Sequence, residues 1–169
     1  MPSSPIETMY NTLPQTGKIE WIGLRPARRN DLQVVDEAEI SLEDGLVGDH
    51  YSGESRKRQV TLIQAEHLQG VANILGLPEV DPGLIRRNIV VSGINLQAFD
   101  ERQFAIGEVI LEMTGQCHPC SRMEENLGPG GFNAMRGHGG ITARVIKGGR
   151  IRVGDPVMLA ETVPALSGT

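Results

Sequence analysis

A mainly β fold, a twisted and largely antiparallel barrel carrying a few short helices, is what this sequence predicts. Three observations lead there. Apolar residues recur in short alternating runs of strand length rather than in long helical stripes. Gly 21 and Pro 10 punctuate those runs, which favours many turns and short elements. One stretch alone has clear helical spacing. At 169 residues the chain has the length of one domain with a buried core, and its 39% hydrophobic and 22% charged residues are ordinary for a globular protein.

Residues 1–17, broken by Pro14 and Gly17, are expected to be a flexible lead-in. Lys18 to Leu24 alternates and predicts the first strand. Residues 31–40 mix Val34, Val35, Ala38 and Ile40 with acids, as a strand or a surface connection would. Gly45-Leu46-Val47-Gly48-Asp49-His50 reads as a turn ending in two polar side chains, and Ser52 to Lys57 as a polar loop. Gln59 to Ile63 is a strand. Leu68, Val71, Ala72 and Leu75 repeat at helical spacing, predicting a helix over 64–75 stopped by Gly76 and Pro78. Asn88 to Ser92, Phe104 to Ile106 and Glu108 to Thr114 are strands. Ile141 to Ile146 and Arg150 to Val153 flank Lys147-Gly148-Gly149, the pattern of a β-hairpin, and Val157 to Leu159 is the last strand. The domain is thus placed at 18–160, with 161–169 a flexible tail.

The net charge of -5 argues against broad nucleic-acid binding, but the charges are segregated. Residues 31–54 hold eight acids and no Lys or Arg, whereas 117–152 hold six basic residues against Glu124 and Glu125. Two differently solvated faces would explain this, as would a few arginines gathered on an anionic small molecule. No apolar run approaches the roughly 20 residues that span a bilayer. The N-terminus lacks the basic and apolar regions of a secretory signal, so the expected compartment is the cytoplasm, with both cysteines as free thiols.

Those two cysteines fall in one segment, Cys117-His118-Pro119-Cys120-Ser121-Arg122. The spacing is open to several readings. Structural zinc needs about four ligands, and only His138 offers to join the pair. A thioredoxin-like dithiol needs a helix N-terminus within a βαβ unit, and here the pair follows a strand. One reactive sulfur, Cys120 beside Arg122, would be a soft ligand for a transition metal such as molybdenum or copper. Packed structural cysteines are the plain alternative. Upstream, Arg86 and Asn88 would share one face of a strand, with Arg87 on the other, and a guanidinium beside an amide suits a phosphate or a polar heterocycle. Asp49 and His50 end a turn, and Arg144 alternates with apolar neighbours, facing a pocket or solvent. No Walker loop, dinucleotide fingerprint or serine elbow is present.

Taken together these segments resemble the MOSC domain, the C-terminal domain of molybdenum cofactor sulfurase. The resemblance runs over about residues 18–160 through Gly45 to His50, Val60 to Leu68, Arg86 to Gly93, Phe104 to Gly107, Cys117 to Arg122, Gly139 to Val145 and Gly148 to Asp155. It implies a β-barrel that binds the molybdenum cofactor, a phosphorylated pterin dithiolene (molybdopterin), with Cys120 as the protein ligand to molybdenum. It implies cofactor contacts from Arg86 and Asn88, and less directly from Asp49, His50, Arg122 and Arg144. It further implies an activity of the hydroxylaminopurine or amidoxime type, since relatives made of this domain alone resemble small bacterial reductases of N-hydroxylated compounds, including hydroxylaminopurine-type bases, and larger relatives include the mitochondrial amidoxime-reducing component. The additional N-terminal β-barrel domain of the mitochondrial amidoxime-reducing component has no counterpart in the matching residues. The implied activity draws electrons from a separate redox protein, since nothing here reads as a flavin or iron–sulfur site. Two other functions fit the same residues: a sulfur-carrier or cofactor-delivery module using a Cys120 persulfide, and a binder of pyridoxal phosphate, which lacks a well-placed lysine.

Overall fold

The computed structural model describes residues 4–27, 31–50 and 55–160. The tail from Glu161 and the first part of the loop expected over 52–57 lie outside the described residues. Eleven strands and five short α-helices are present among the described residues: α1 (Pro5–Asn11), β1 (Gly17–Leu24), β2 (Gln33–Val35), β3 (Glu37–Ser41), β4 (Gly45–Leu46), β5 (Val60–Gln64), α2 (Ala65–Leu75), α3 (Pro82–Ile85), β6 (Ile89–Ser92), β7 (Gln103–Ile106), β8 (Val109–Gln116), α4 (Ser121–Leu127), α5 (Gly131–Met135), β9 (Ile141–Lys147), β10 (Gly149–Arg152) and β11 (Pro156–Leu159).

Seven strands close a barrel in the order β1-β6-β5-β9-β8-β7-β11, and β11 returns to β1 through Gly17↔Val157 and Lys18↔Pro156. The expected antiparallel pairing holds except between β5 and β6, which run parallel. A parallel pair needs a crossover, and the predicted helix α2 supplies it together with α3. Alternating inward residues fill the barrel, among them Ile22, Leu62, Ile89, Val91, Leu111 and Val145. Phe99 and Phe104 stack there with ring centroids 4.4 Å apart.

β5 is buried on both faces because a second core lies outside the barrel wall. Ile63 and Val90 point outward from β5 and β6 and meet Leu68 and Val71 of α2, Ile85 of α3, Met123 of α4 and Met135 of α5. This layer holds α3 and α4 against the barrel and fixes the loops that carry the site. Glu124 tightens it by accepting the Gly130 and Phe132 N–H groups at 2.9 and 3.0 Å, bonds that lower its carboxyl below the usual glutamate range.

The expected 141–153 hairpin does not form. β10 leaves β9 and pairs with β3 in a separate sheet, β10-β3-β4. Gly148 permits this, since a Cβ there would sit 2.5 Å from the Ile40 carbonyl oxygen. The pairing sets Arg150 against Glu37 at 2.9 Å, so part of the acidic and basic segregation is strand-to-strand neutralisation. Another difference is α1, which occupies part of the expected lead-in. Ser4 and Glu7 form a capping box at its start, and Arg102 bonds the Tyr10 carbonyl and Asn11 Oδ1 at its end.

Candidate functional site

The site grows from strand ends. β1 finishes at Leu24 and hands the chain to Arg25. β5 is preceded by Arg58, and β6 by Arg86, Arg87 and Asn88. Because β1, β6 and β5 are neighbours in the barrel, these residues converge. β8 then delivers Cys117, whose N–H donates to the Gly140 carbonyl at 2.8 Å, and α4 opens on Cys120 as its N-cap.

The predicted strand face of Arg86 and Asn88 is not what forms. β6 begins only at Ile89. Arg86 caps the C-terminus of α3 in the left-handed region, φ 59°, so strand alternation does not reach it. Its side chain lines a cleft, and so does that of Arg87. Asn88 is wholly buried behind them. Its Oδ1 accepts the Thr61 N–H and hydroxyl, both at 3.1 Å, and its Nδ2 donates to the Gly23 carbonyl and Asp49 Oδ1. Asn88 is therefore a hub that holds the site rather than a wall of it.

Asp49 is also placed behind the wall. The Arg25 backbone N–H donates to its Oδ1 at 2.7 Å, and the Arg25 guanidinium grips both oxygens at 3.1 and 2.9 Å. Burial raises the Asp49 carboxyl, but the Arg25 bonds and charge and the Asn88 amide outweigh it and hold it below the usual aspartate range. His50 lines the cleft. Its N–H and Nδ1 lie 2.7 and 3.1 Å from the Arg25 carbonyl, an acceptor, so Nδ1 carries the proton in that bond, and Nε2 has no hydrogen-bond partner among the described residues.

The cleft has a volume of about 240 Å³ and is lined by Arg25, Arg58, Arg86, Arg87 and Arg122 with His50, both cysteines, His118 and Met123. No carboxylate and no lysine lines it among the described residues. Arg25 is committed to Asp49, and Arg87 to the carbonyls of Gly139 at 2.7 Å, Ile85 at 2.8 Å and Cys117 at 3.4 Å. Arg58 approaches the Cys117 sulfur at 3.8 Å. Burial, then repulsion from Arg122 and Arg25, holds the Arg86 guanidinium below its ordinary value, as expected where cations crowd.

The two cysteines differ. Cys117 is buried and Cys120 exposed, and the four residues from Cys117 to Cys120 make no turn. No group of three or more metal-ligating side chains exists among the described residues, so a structural zinc site is not formed there. Arg144 is not brought to the site. Between inward Ala143 and Val145 it points out of the barrel and pairs with Glu112 across the β8–β9 ladder at 2.5 Å. Arg25 and Arg58 carry no expectation from the sequence, Arg87 is expected on the strand face opposite Arg86, and Cys117 enters only as the partner of Cys120. The signal for the three arginines is that each flanks a strand, and only the strand order makes that informative.

A barrel of this order with a cysteine on a cationic cleft defines a recognisable class. The MOSC domain family model matches residues 39–158, and the chain belongs to that family. Among solved structures it resembles the YUAD protein from Bacillus subtilis, with TM-score 0.72, 19% identity, and coverage of 86% of this chain and 97% of that one. It also resembles YiiM from Geobacillus stearothermophilus (TM-score 0.70, 17% identity, 86% and 75% covered) and YiiM from Escherichia coli (0.64, 20%, 86% and 70%). These likenesses concern the fold. No curated protein sequence matches the chain. Among the described residues no helix is long and apolar enough to cross a membrane.

Proposed function

We propose that the arginine cleft binds the molybdenum cofactor and that the protein reduces N-hydroxylated compounds. One observation carries this reading: an exposed Cys120 on the wall of a cleft lined, among the described residues, by five arginines and no carboxylate. The donor set fits the group. A cysteine sulfur is a soft ligand suited to molybdenum, and guanidiniums suit the phosphate of the pterin. Arg58, Arg86 and Arg122 hold the phosphate end. Arg25 and Arg87 keep the wall in shape through Asp49 and the Gly139 carbonyl. When bound, the cofactor would supply a two-electron metal centre at which an N–O bond is broken.

The reaction adds two electrons and two protons to R–NHOH and releases R–NH₂ and water. The electrons come from a separate redox protein. His50, which lines the cleft and whose Nε2 has no hydrogen-bond partner among the described residues, would hold or pass a proton. Protein produced in a cofactor-making host is expected to carry about one molybdenum per chain by elemental analysis, and Cys120→Ser to lose it. Metal-free protein that still reduces hydroxylamines would exclude the reading.

A further inference from the structure

The loop joining α5 to β9, residues 136–140, buttresses the arginine cleft. The Gly139 carbonyl accepts a bond from Arg87 Nε at 2.7 Å, and the Gly140 carbonyl accepts the Cys117 N–H at 2.8 Å. Arg87 and Cys117 both line the cleft, so the seat of this loop sets part of its wall. The same loop meets α2 through a pair of histidines. His67, in the first turn of α2, packs edge to face on His138, with ring centroids 5.3 Å apart and planes at 76°. The His138 N–H donates to the Met135 carbonyl at 2.8 Å, and its Nδ1 lies 3.3 Å from the Ala134 carbonyl.

Both rings are half-buried, and the charged groups that act on His67 are His138 and Glu66. Glu66 is turned toward the end of β6, where its Oε2 accepts the Gly93 N–H at 2.8 Å. The elements α5, β5 and β6 pack against α2 and carry no ionisable side chain. On the loop, Arg136 stands two residues before His138 and donates to Asn133 Oδ1 at 3.3 Å, and Arg87 holds Gly139. The loop itself has no carboxylate. Two neutral rings attract each other in this arrangement, whereas two imidazoliums at the same distance repel. Burial, then the charge of His138, holds His67 below the ordinary histidine range, against the pull of Glu66. Its folded value thus lies below the unfolded one. The neutral pair stabilises the fold above the ordinary range, and that contribution is lost as pH falls through the depressed value.

We infer that the His67–His138 contact is an acid-sensitive latch on the cleft. Neutral rings hold the 136–140 loop against α2, and protonation of both drives the loop off, withdrawing Gly139 from Arg87 and Gly140 from Cys117. Gly137, with φ +79° and open space where a Cβ would sit, is the pivot. Cys117 then meets solvent and the Arg87 guanidinium is released, so the wall changes shape and charge together. The inference concerns the wall alone and stands whether or not the cleft holds molybdenum.

The test uses the purified full chain carrying Cys120→Ser, which leaves Cys117 as its one thiol and puts serine, a favoured N-cap, at the start of α4. Dithiodipyridine labels Cys117, and each rate is divided by that of glutathione at the same pH. The ratio is expected to rise about tenfold between about pH 7.5 and about pH 5, while far-UV circular dichroism keeps the signal of the folded barrel. Adding His67→Gln or His138→Gln is expected to hold the ratio within about twofold over that range, whatever its level. The ionisation of the thiol itself is common to all three chains, so the comparison isolates the histidines. In His138→Gln the His67 ring, followed by NMR, is expected to titrate at higher pH than in the unaltered chain. A ratio that does not change with pH, a rise that survives in either variant, or loss of the barrel signal over the same range would overturn the inference. So would a His67 titration that His138→Gln leaves unmoved.

Discussion

Asp49→Ala is expected to cost about 3–5 kcal/mol of stability because it strands the Arg25 guanidinium, and, if the proposed function holds, to lower the molybdenum content of the chain. The Asp49 side chain is 0% exposed and that of Arg25 only 15%, so water cannot readily replace the lost carboxylate. The damage spreads. Arg25 also donates to the Arg86 carbonyl at 3.3 Å and to Asn88 Oδ1 at 3.3 Å, and the Asn88 amide would lose its bond to Asp49 Oδ1. Arg86 would then lose a bond that holds its left-handed backbone at the cleft wall. Urea unfolding measures the stability, and elemental analysis measures the metal. Near-normal stability would mean that Arg25 swings into the cleft and is solvated there. The same pair predicts a pH dependence. The folded-state Asp49 carboxyl is held below its unfolded value, so its contribution is present above the ordinary aspartate range. It is lost as pH falls through the depressed folded value. In Asp49→Ala that acid-side loss of stability should shrink.

Gly139→Ala is expected to be comparably severe, on the order of 4 kcal/mol, with the melting temperature lowered by roughly 10 °C. A Cβ at this position would lie 2.0 Å from the Cys117 carbonyl oxygen and 3.3 Å from the Arg87 guanidinium. The first neighbour is backbone and cannot swing aside. Relief requires the loop before β9 to lift from Cys117, which breaks the 2.7 Å bond from Arg87 Nε to the Gly139 carbonyl. Gly140 is equally confined, since its Cβ would meet the Leu62 carbonyl oxygen at 2.0 Å and its φ is +88°. Differential scanning calorimetry decides the outcome. A variant that melts within a degree or two of the unaltered chain would show that this loop is not clamped.

Much of this was legible in the chain. β1, β5, β7, β8, β9 and β11 follow from alternation and turn residues, and α2 from its spacing and the left-handed cap at Gly76. The expectation of a flexible lead-in passed over a signal at the start of α1, where Ser4-Pro5-Ile6-Glu7 is a capping box with proline at the first helical position. The helices α3, α4 and α5 were not legible. They span four, seven and five residues, too short for a periodic stripe, and are held by the outer core they share with α2. Cys120 and its basic neighbours stood out by residue type alone.

Local patterning determined which segments would be strands, where they would end, and that one cysteine lies among basic residues in sequence. It could not determine which strand ends meet. Alternation records which side of a strand is apolar but carries no information about its neighbours. The placing of β6 between β1 and β5 gathered Arg25, Arg58 and Arg87, buried Asn88 behind them and left Arg144 outside with Glu112. The cysteine came from the sequence. The cationic cleft around it came from barrel closure, because only pairing between distant strands brings like charges so close and supplies the buried Asp49 that helps hold them there.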